Sequence, residues 1–156
     1  MLILTISLIG ISAGLRTFTA PAVVAWAGWL GSIDLGPTPF SFMASPVAAV
    51  IFTVLAAGEY IWDLLPNTPS RTQVPALIGR ALTGTFSAAC LIATTSPNFS
   101  SCILGGVAAV FGAIAGHDAR VRLVRTLDVK DYFIAIPEDL IAIGLAILSV
   151  VMINFI

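Results

Sequence analysis

Charge is what this sequence has least of. Lys and Arg number seven and Asp and Glu eight in 156 residues, so 10 % of the chain is charged, against about 25 % in a soluble domain. A water-soluble globule needs more polar surface, so a soluble enzyme is excluded. Basic excess is absent too: the formal net charge is −1, which leaves no electrostatic footprint for nucleic acid. Cysteine is scarce. Cys90 and Cys102 both sit in apolar stretches, which excludes a disulfide framework or a zinc cluster. Histidine occurs once, as His117. Disorder is ruled out because it needs low hydrophobicity and high net charge.

What is present is apolar. Hydrophobic residues make up 58 % of the chain, and the mean hydropathy is +1.05. The pattern predicts a single integral membrane domain over residues 1–156. Five apolar runs stand out: Leu2 to about Leu30 with one interruption, Ser45 to about Leu65, Val74 to about Ala93, Ser101 to Gly116, and Glu138 to Ile156. The fourth is short, with room for an amphipathic continuation. Barrel strands are about ten residues long and alternate apolar with polar, so these continuous runs predict an all-α polytopic transmembrane bundle of about five spans with a broken first helix. No basic residue precedes Arg16, so the first run reads as an uncleaved helix rather than a signal peptide. With five spans, Arg71, Arg120, Arg122, Arg125 and Lys130 fall on one side of the membrane, and Arg80 lies near it. The positive-inside rule then predicts a cell (inner) membrane protein with a cytoplasmic N-terminus and the C-terminus outside.

A few residues resist the apolar background. Arg16 lies roughly 20 Å along the first helix, where a charge must face protein, water or a carboxylate. Pro21 removes a backbone donor, so Gly14 to Pro21 reads as a bent or broken segment carrying Arg16, Thr17 and Thr19. Glu59 and Asp63 are four apart and share a helix face. They suit a proton or hard cation, or salt bridges to Arg71 and Arg80. Glu138 and Asp139 follow Pro137 and read as the first turn of the last helix, where acids favour the dipole. These nine residues, Arg16, Thr17, Thr19, Glu59, Asp63, Arg71, Arg80, Glu138 and Asp139, form the candidate substrate or ion site. Arg16 is expected to meet one of the carboxylates. The run from Arg120 to Arg125 reads as a headgroup contact. His117 has no nucleophile or second ligand at useful spacing. Gly10 with Gly14, and Ala108 with Gly112 and Gly116, form stripes that let helices approach closely.

The segments Gly14-Leu-Arg-Thr-Phe-Thr-Ala-Pro21, Glu59-Tyr-Ile-Trp-Asp63-Leu-Leu-Pro66 with Arg71, Gly79-Arg80 with Gly84, and Pro137-Glu-Asp-Leu-Ile-Ala142 resemble a bacterial family of small membrane proteins known as domain of unknown function 4126. The resemblance covers nearly the whole chain. It implies a polytopic membrane protein and carries no activity with it. Leu64 stands where the family's central motif carries a Lys.

Three functions follow from the residues. A transporter or channel for an ion or small solute leads, because broken helices with buried charges line solute routes. Five short spans enclose little alone, so a homo-oligomer is expected. The alternative is a non-transporting module that binds membrane lipids or supports a partner protein, with its charges closed into ion pairs. An intramembrane enzyme needs a nucleophile with a base, or a metal with ligands, and no such arrangement occurs in the sequence. The expectation is therefore no enzyme, no cofactor, no metal and no nucleic-acid partner.

Overall fold

The computed structural model describes residues 1–63, 72–96, 98–128 and 131–156. Among the described residues there are six α-helices, α1 (Leu2–Leu15), α2 (Thr19–Trp29), α3 (Pro46–Trp62), α4 (Val74–Ala93), α5 (Cys102–Leu127) and α6 (Tyr132–Ile153), with short 3-10 turns at Ser41–Ala44 and Phe99–Ser101. No strand occurs among the described residues. Among the described residues, three stretches, Val74–Ala93, Phe99–Leu127 and Phe133–Ile153, are long and apolar enough to cross a membrane. With 33 large apolar side chains exposed among the described residues, Val47, Val54, Leu82, Val107 and Leu140 included, this is the make-up of a membrane protein rather than of a water-soluble one.

Packing contacts give the helix directions. Gly10 lies against Gly105 and Gly14 against Ala109, so α1 and α5 run parallel. Gly84 faces both Ala109 and Gly105, while Ala88 faces Gly105, so α4 runs against α5. Arg16 meets Asp139 while Ser12 donates to the Ala142 carbonyl at 2.7 Å, so α6 runs against α1. Thr19 reaches Tyr60, and Trp26 reaches Thr53, which makes α2 and α3 antiparallel.

The first segment departs from its sequence reading. It is broken, as expected, but the break is a reversal. Leu35 packs on Gly28, Phe40 meets Phe86 and Phe99, and Pro37 to Pro39 share a cleft with Ala93 to Ser96. The C-terminal end of α2 therefore returns to the level where α1 begins. Pro21 does not make this bend. It is the third residue of α2, where its missing N–H would have had no intrahelical partner anyway. The chain turns at Arg16, which is extended (φ −141, ψ 114), and the Thr19 N–H closes the turn onto the Arg16 carbonyl at 3.3 Å.

Two corrections follow. Because α6 is antiparallel to α1, the N- and C-termini emerge at the same end of the bundle, not at opposite ends as five crossings would place them. The last helix also starts at Tyr132 rather than Glu138, with Pro137 inside it. Glu138 and Asp139 thus sit in its second turn, beyond the first-turn positions the dipole argument assumed.

The core is built from small side chains. A methyl group on Gly14 would run into the Ala109 carbonyl oxygen, and one on Gly105 would lie 2.6 Å from the Gly84 carbonyl oxygen. The sequence stripes on α1 and α5 are used here, within one chain.

Candidate functional site

The reversal at Arg16–Phe18 leaves backbone groups unpaired at two helix ends, and two side chains satisfy them. Glu59, on the last turns of α3, accepts from the Thr17 N–H at 2.8 Å, the Thr17 hydroxyl at 2.8 Å and the Phe18 N–H at 3.0 Å. A carboxylate ahead of α2 also complements the positive end of that helix. Arg80 of α4 donates from Nη1 to the Gly14 carbonyl at 2.7 Å, a cation at the negative end of α1. Arg80 Nη2 and Glu59 Oε1 are 3.5 Å apart, so the two caps also pair with each other.

Arg16 itself is 1 % exposed. Its Nη1 pairs with Asp63 Oδ2, at the end of α3, and its Nε donates to Asp139 Oδ1 of α6 at 2.5 Å. The guanidinium carbon stands 5.3 Å from the centre of the Tyr60 ring, a cation–π distance. The Tyr60 hydroxyl shares a 2.7 Å hydrogen bond with Thr19.

A third guanidinium completes the layer. Arg120 of α5 donates from Nε to Asp131 Oδ1 at 2.8 Å, its Nη2 pairs with Asp131 Oδ2, and its Nη1 lies 3.3 Å from Glu138 Oε2 and 3.9 Å from Asp63 Oδ2. Asp63 therefore joins the Arg16 and Arg120 clusters. The chain of pairs runs from buried Arg16 to Asp131, whose side chain is 58 % exposed. Every helix contributes to this layer or to its turn.

The fold brings together eight of the nine residues the sequence singled out. Arg71 lies outside the described residues, as does Lys130. Arg16 meets carboxylates, as its cost in hydrocarbon demands. Glu59 and Asp63 share a face of α3 yet serve different arginines. Sequence reasoning missed Arg120, which was grouped with exposed Arg122 and Arg125 as a headgroup contact. A signal existed: Arg120 continues the four-residue spacing of Gly112 and Gly116, the face that packs on α1. Tyr60 and Asp131 were missed too, and nothing local to them announces a partner.

Two openings border the layer. A cleft of about 400 Å³ lies between the α1–α2 turn and α3, lined by Thr17, Phe18, Val54, Gly58 and Glu59. A second, of about 230 Å³, separates α5 from α6 and is lined by Leu15, Gly116, Arg120, Pro137 and Glu138. Among the described residues, no group of three or more His, Cys, Asp or Glu is placed to hold a metal ion.

The family model described as domain of unknown function (DUF4126) matches residues 2–152. The chain belongs to this family. No curated protein and no solved structure matches it. Family membership thus agrees with the resemblance carried by the motifs at Arg16, Glu59–Asp63, Arg80 and Glu138–Asp139, which are the residues that meet in the polar layer.

Proposed function

We propose that this protein is a small multi-pass transporter or channel for an ion or small solute, with the Arg16 layer as its closed gate. One observation carries the reading. At about 1.5 Å per residue α1 rises roughly 21 Å and α2 roughly 17 Å, each short of the ~30 Å hydrocarbon core. They meet in a turn whose guanidinium is held by carboxylates from two other helices. Short helices that reverse around ionised groups are the architecture from which solute sites in membranes are built. Opening requires Arg16 to exchange one of its two carboxylates for a solute or water. The activity proposed is non-enzymatic, and the proposed partners are the solute, membrane lipids and a second copy of the chain.

A second reading has its own support. Arg16, Glu59 and Arg120 are each engaged by two or more groups, which is also what a structural brace looks like. The protein would then be a non-transporting module that binds lipid or supports a partner. The two readings separate in proteoliposomes loaded with candidate ions and small organic anions. Wild-type flux that disappears in a folded Arg16→Ala or Glu59→Gln variant supports the transporter. Stability rescued in double variants, with no wild-type flux for any solute, supports the brace.

Orientation belongs to the same proposal. Arg16, Arg80, Arg120, Arg122 and Arg125 all lie toward one end of the bundle, and the opposite end carries a single acidic residue, Asp34. The positive-inside rule assigns the arginine end to the cytoplasm. On this reading, with the two termini at the other end of the bundle, both face the outer side of a cell membrane, the reverse of what five spans imply for the N-terminus.

A further inference from the structure

All three tryptophans of the chain belong to the α2–α3 pair. Trp26 and Trp29 are on α2 with ring centroids 5.0 Å apart, and Trp62 ends α3. They are 38 %, 44 % and 61 % exposed. Tryptophan favours the membrane–water interface, because its apolar body and N–H donor suit the headgroup boundary. Trp26 is tied to the level of Thr53 by a 2.9 Å hydrogen bond from its indole nitrogen.

Trp62 lies nine positions beyond Thr53 along α3, a rise of about 14 Å, and Trp29 lies about one helical turn beyond Trp26. The two tryptophan levels are therefore roughly 18 Å apart, and all of α3 is roughly 26 Å long. A bilayer core is ~30 Å thick. Between the two levels α3 exposes Val50, Ile51, Val54, Leu55 and Ile61, and its apolar stripe continues about one turn past the Trp29 level to Val47. At the Trp62 level the stripe gives way to Thr17, Glu59 and Asp63, which face the adjoining cleft or the ion-pair layer. By contrast, α5 and α6 rise roughly 39 and 33 Å and reach past the Arg16 turn.

We infer that the α2–α3 face is a lipid-contact surface that holds the bilayer locally thin, with Trp26 and Trp29 at one interface and Trp62 at the other. Mismatch of this kind is relieved by local thinning of the bilayer. The inference does not depend on transport.

The test uses the full chain in phosphatidylcholine vesicles. Two variants, Trp62→Phe and Trp26→Phe/Trp29→Phe, isolate the two levels, and lipids brominated near the glycerol or near the chain end report depth. Shallow bromine is expected to quench both variants several-fold more than deep bromine. Deep quenching of Trp62 overturns the inference, because it puts that residue near the midplane of a bilayer of ordinary thickness. Weak quenching at every depth overturns it too and assigns the face to a second copy or another protein. As a check free of substitutions, the wild-type thermal midpoint should be highest in short-chain lipid and fall as the chains lengthen. A midpoint that rises with chain length contradicts the inference.

Discussion

Glu59 is the residue on which the turn depends most. Three donors from Thr17 and Phe18 converge on its carboxylate, with Arg80 beside it. Glutamine keeps the size but loses the charge and replaces one acceptor oxygen with a donor. Hydrogen bonds to charged groups contribute roughly 1.5–3 kcal/mol, so Glu59→Gln should lower stability by about that amount in detergent unfolding. A wild-type unfolding curve for Glu59→Gln would refute this role. Arg16 permits a sharper experiment. Replacing it with Met leaves Asp63 near Arg120 at 3.9 Å but strands Asp139 beside no remaining guanidinium among its described partners. Removing one member of a buried pair costs about 3–5 kcal/mol, and replacing the whole pair with apolar or neutral groups costs far less. Arg16→Met should therefore be severely destabilised, and Arg16→Met/Asp139→Asn should recover much of the loss. Failure of the double variant to recover would show that Asp139 is not the partner that matters.

Among the elements, the α1–α5 contact is the tightest, and its glycines make opposite predictions according to their surroundings. Gly14 abuts the Ala109 carbonyl, so Gly14→Ala must push two helix backbones apart. Overpacking of this kind costs about 1–3 kcal/mol, and here the displaced group is backbone, which cannot rotate away. Gly144 of α6 has no atom within 4 Å of the position a methyl would take. Gly144→Ala should be neutral or stabilising by up to about 1 kcal/mol through helix propensity. Thermal unfolding of the two variants side by side checks the packing. Equal effects would mean that α1 and α5 do not meet as described. The α1–α2 turn has a related logic: its geometry depends on capping groups from α3 and α4, so neither half of the segment specifies the reversal alone.

Seen whole, the bundle is polar at one end and nearly uncharged at the other, and both termini leave from the uncharged end. Cysteine accessibility tests this in a Cys90→Ala/Cys102→Ala background. Ile3→Cys and Asn154→Cys should react with an impermeant reagent from outside the cell, and Asp128→Cys only after permeabilisation. Ile3→Cys is the decisive position, because five crossings would put it in the cytoplasm with Asp128, across the membrane from Asn154. Protection of Ile3→Cys in intact cells together with labelling of Asn154→Cys would overturn the shared-end arrangement.

Much of this molecule was legible in its residues. Helicity, a membrane setting, the break near Arg16, the one-ended arginines and the close-packing glycines all follow from composition and spacing, because hydropathy and backbone sterics act over a few residues. The polar layer was legible as a set of residues but not as a set of pairs. Arg16 and Asp139 are 123 residues apart, and Arg16 and Asp63 are 47 apart. Local pattern fixes which face of a helix a side chain occupies, but not which helix that face will meet. Arg120 illustrates the limit: its neighbours Arg122 and Arg125 point outward, and only the packing of α5 on α1 turns Arg120 inward. The same holds for the reversal at Arg16. A kink and a hairpin use the same residues there, and Glu59 and Arg80, brought in by other helices, satisfy the backbone groups that only the hairpin exposes.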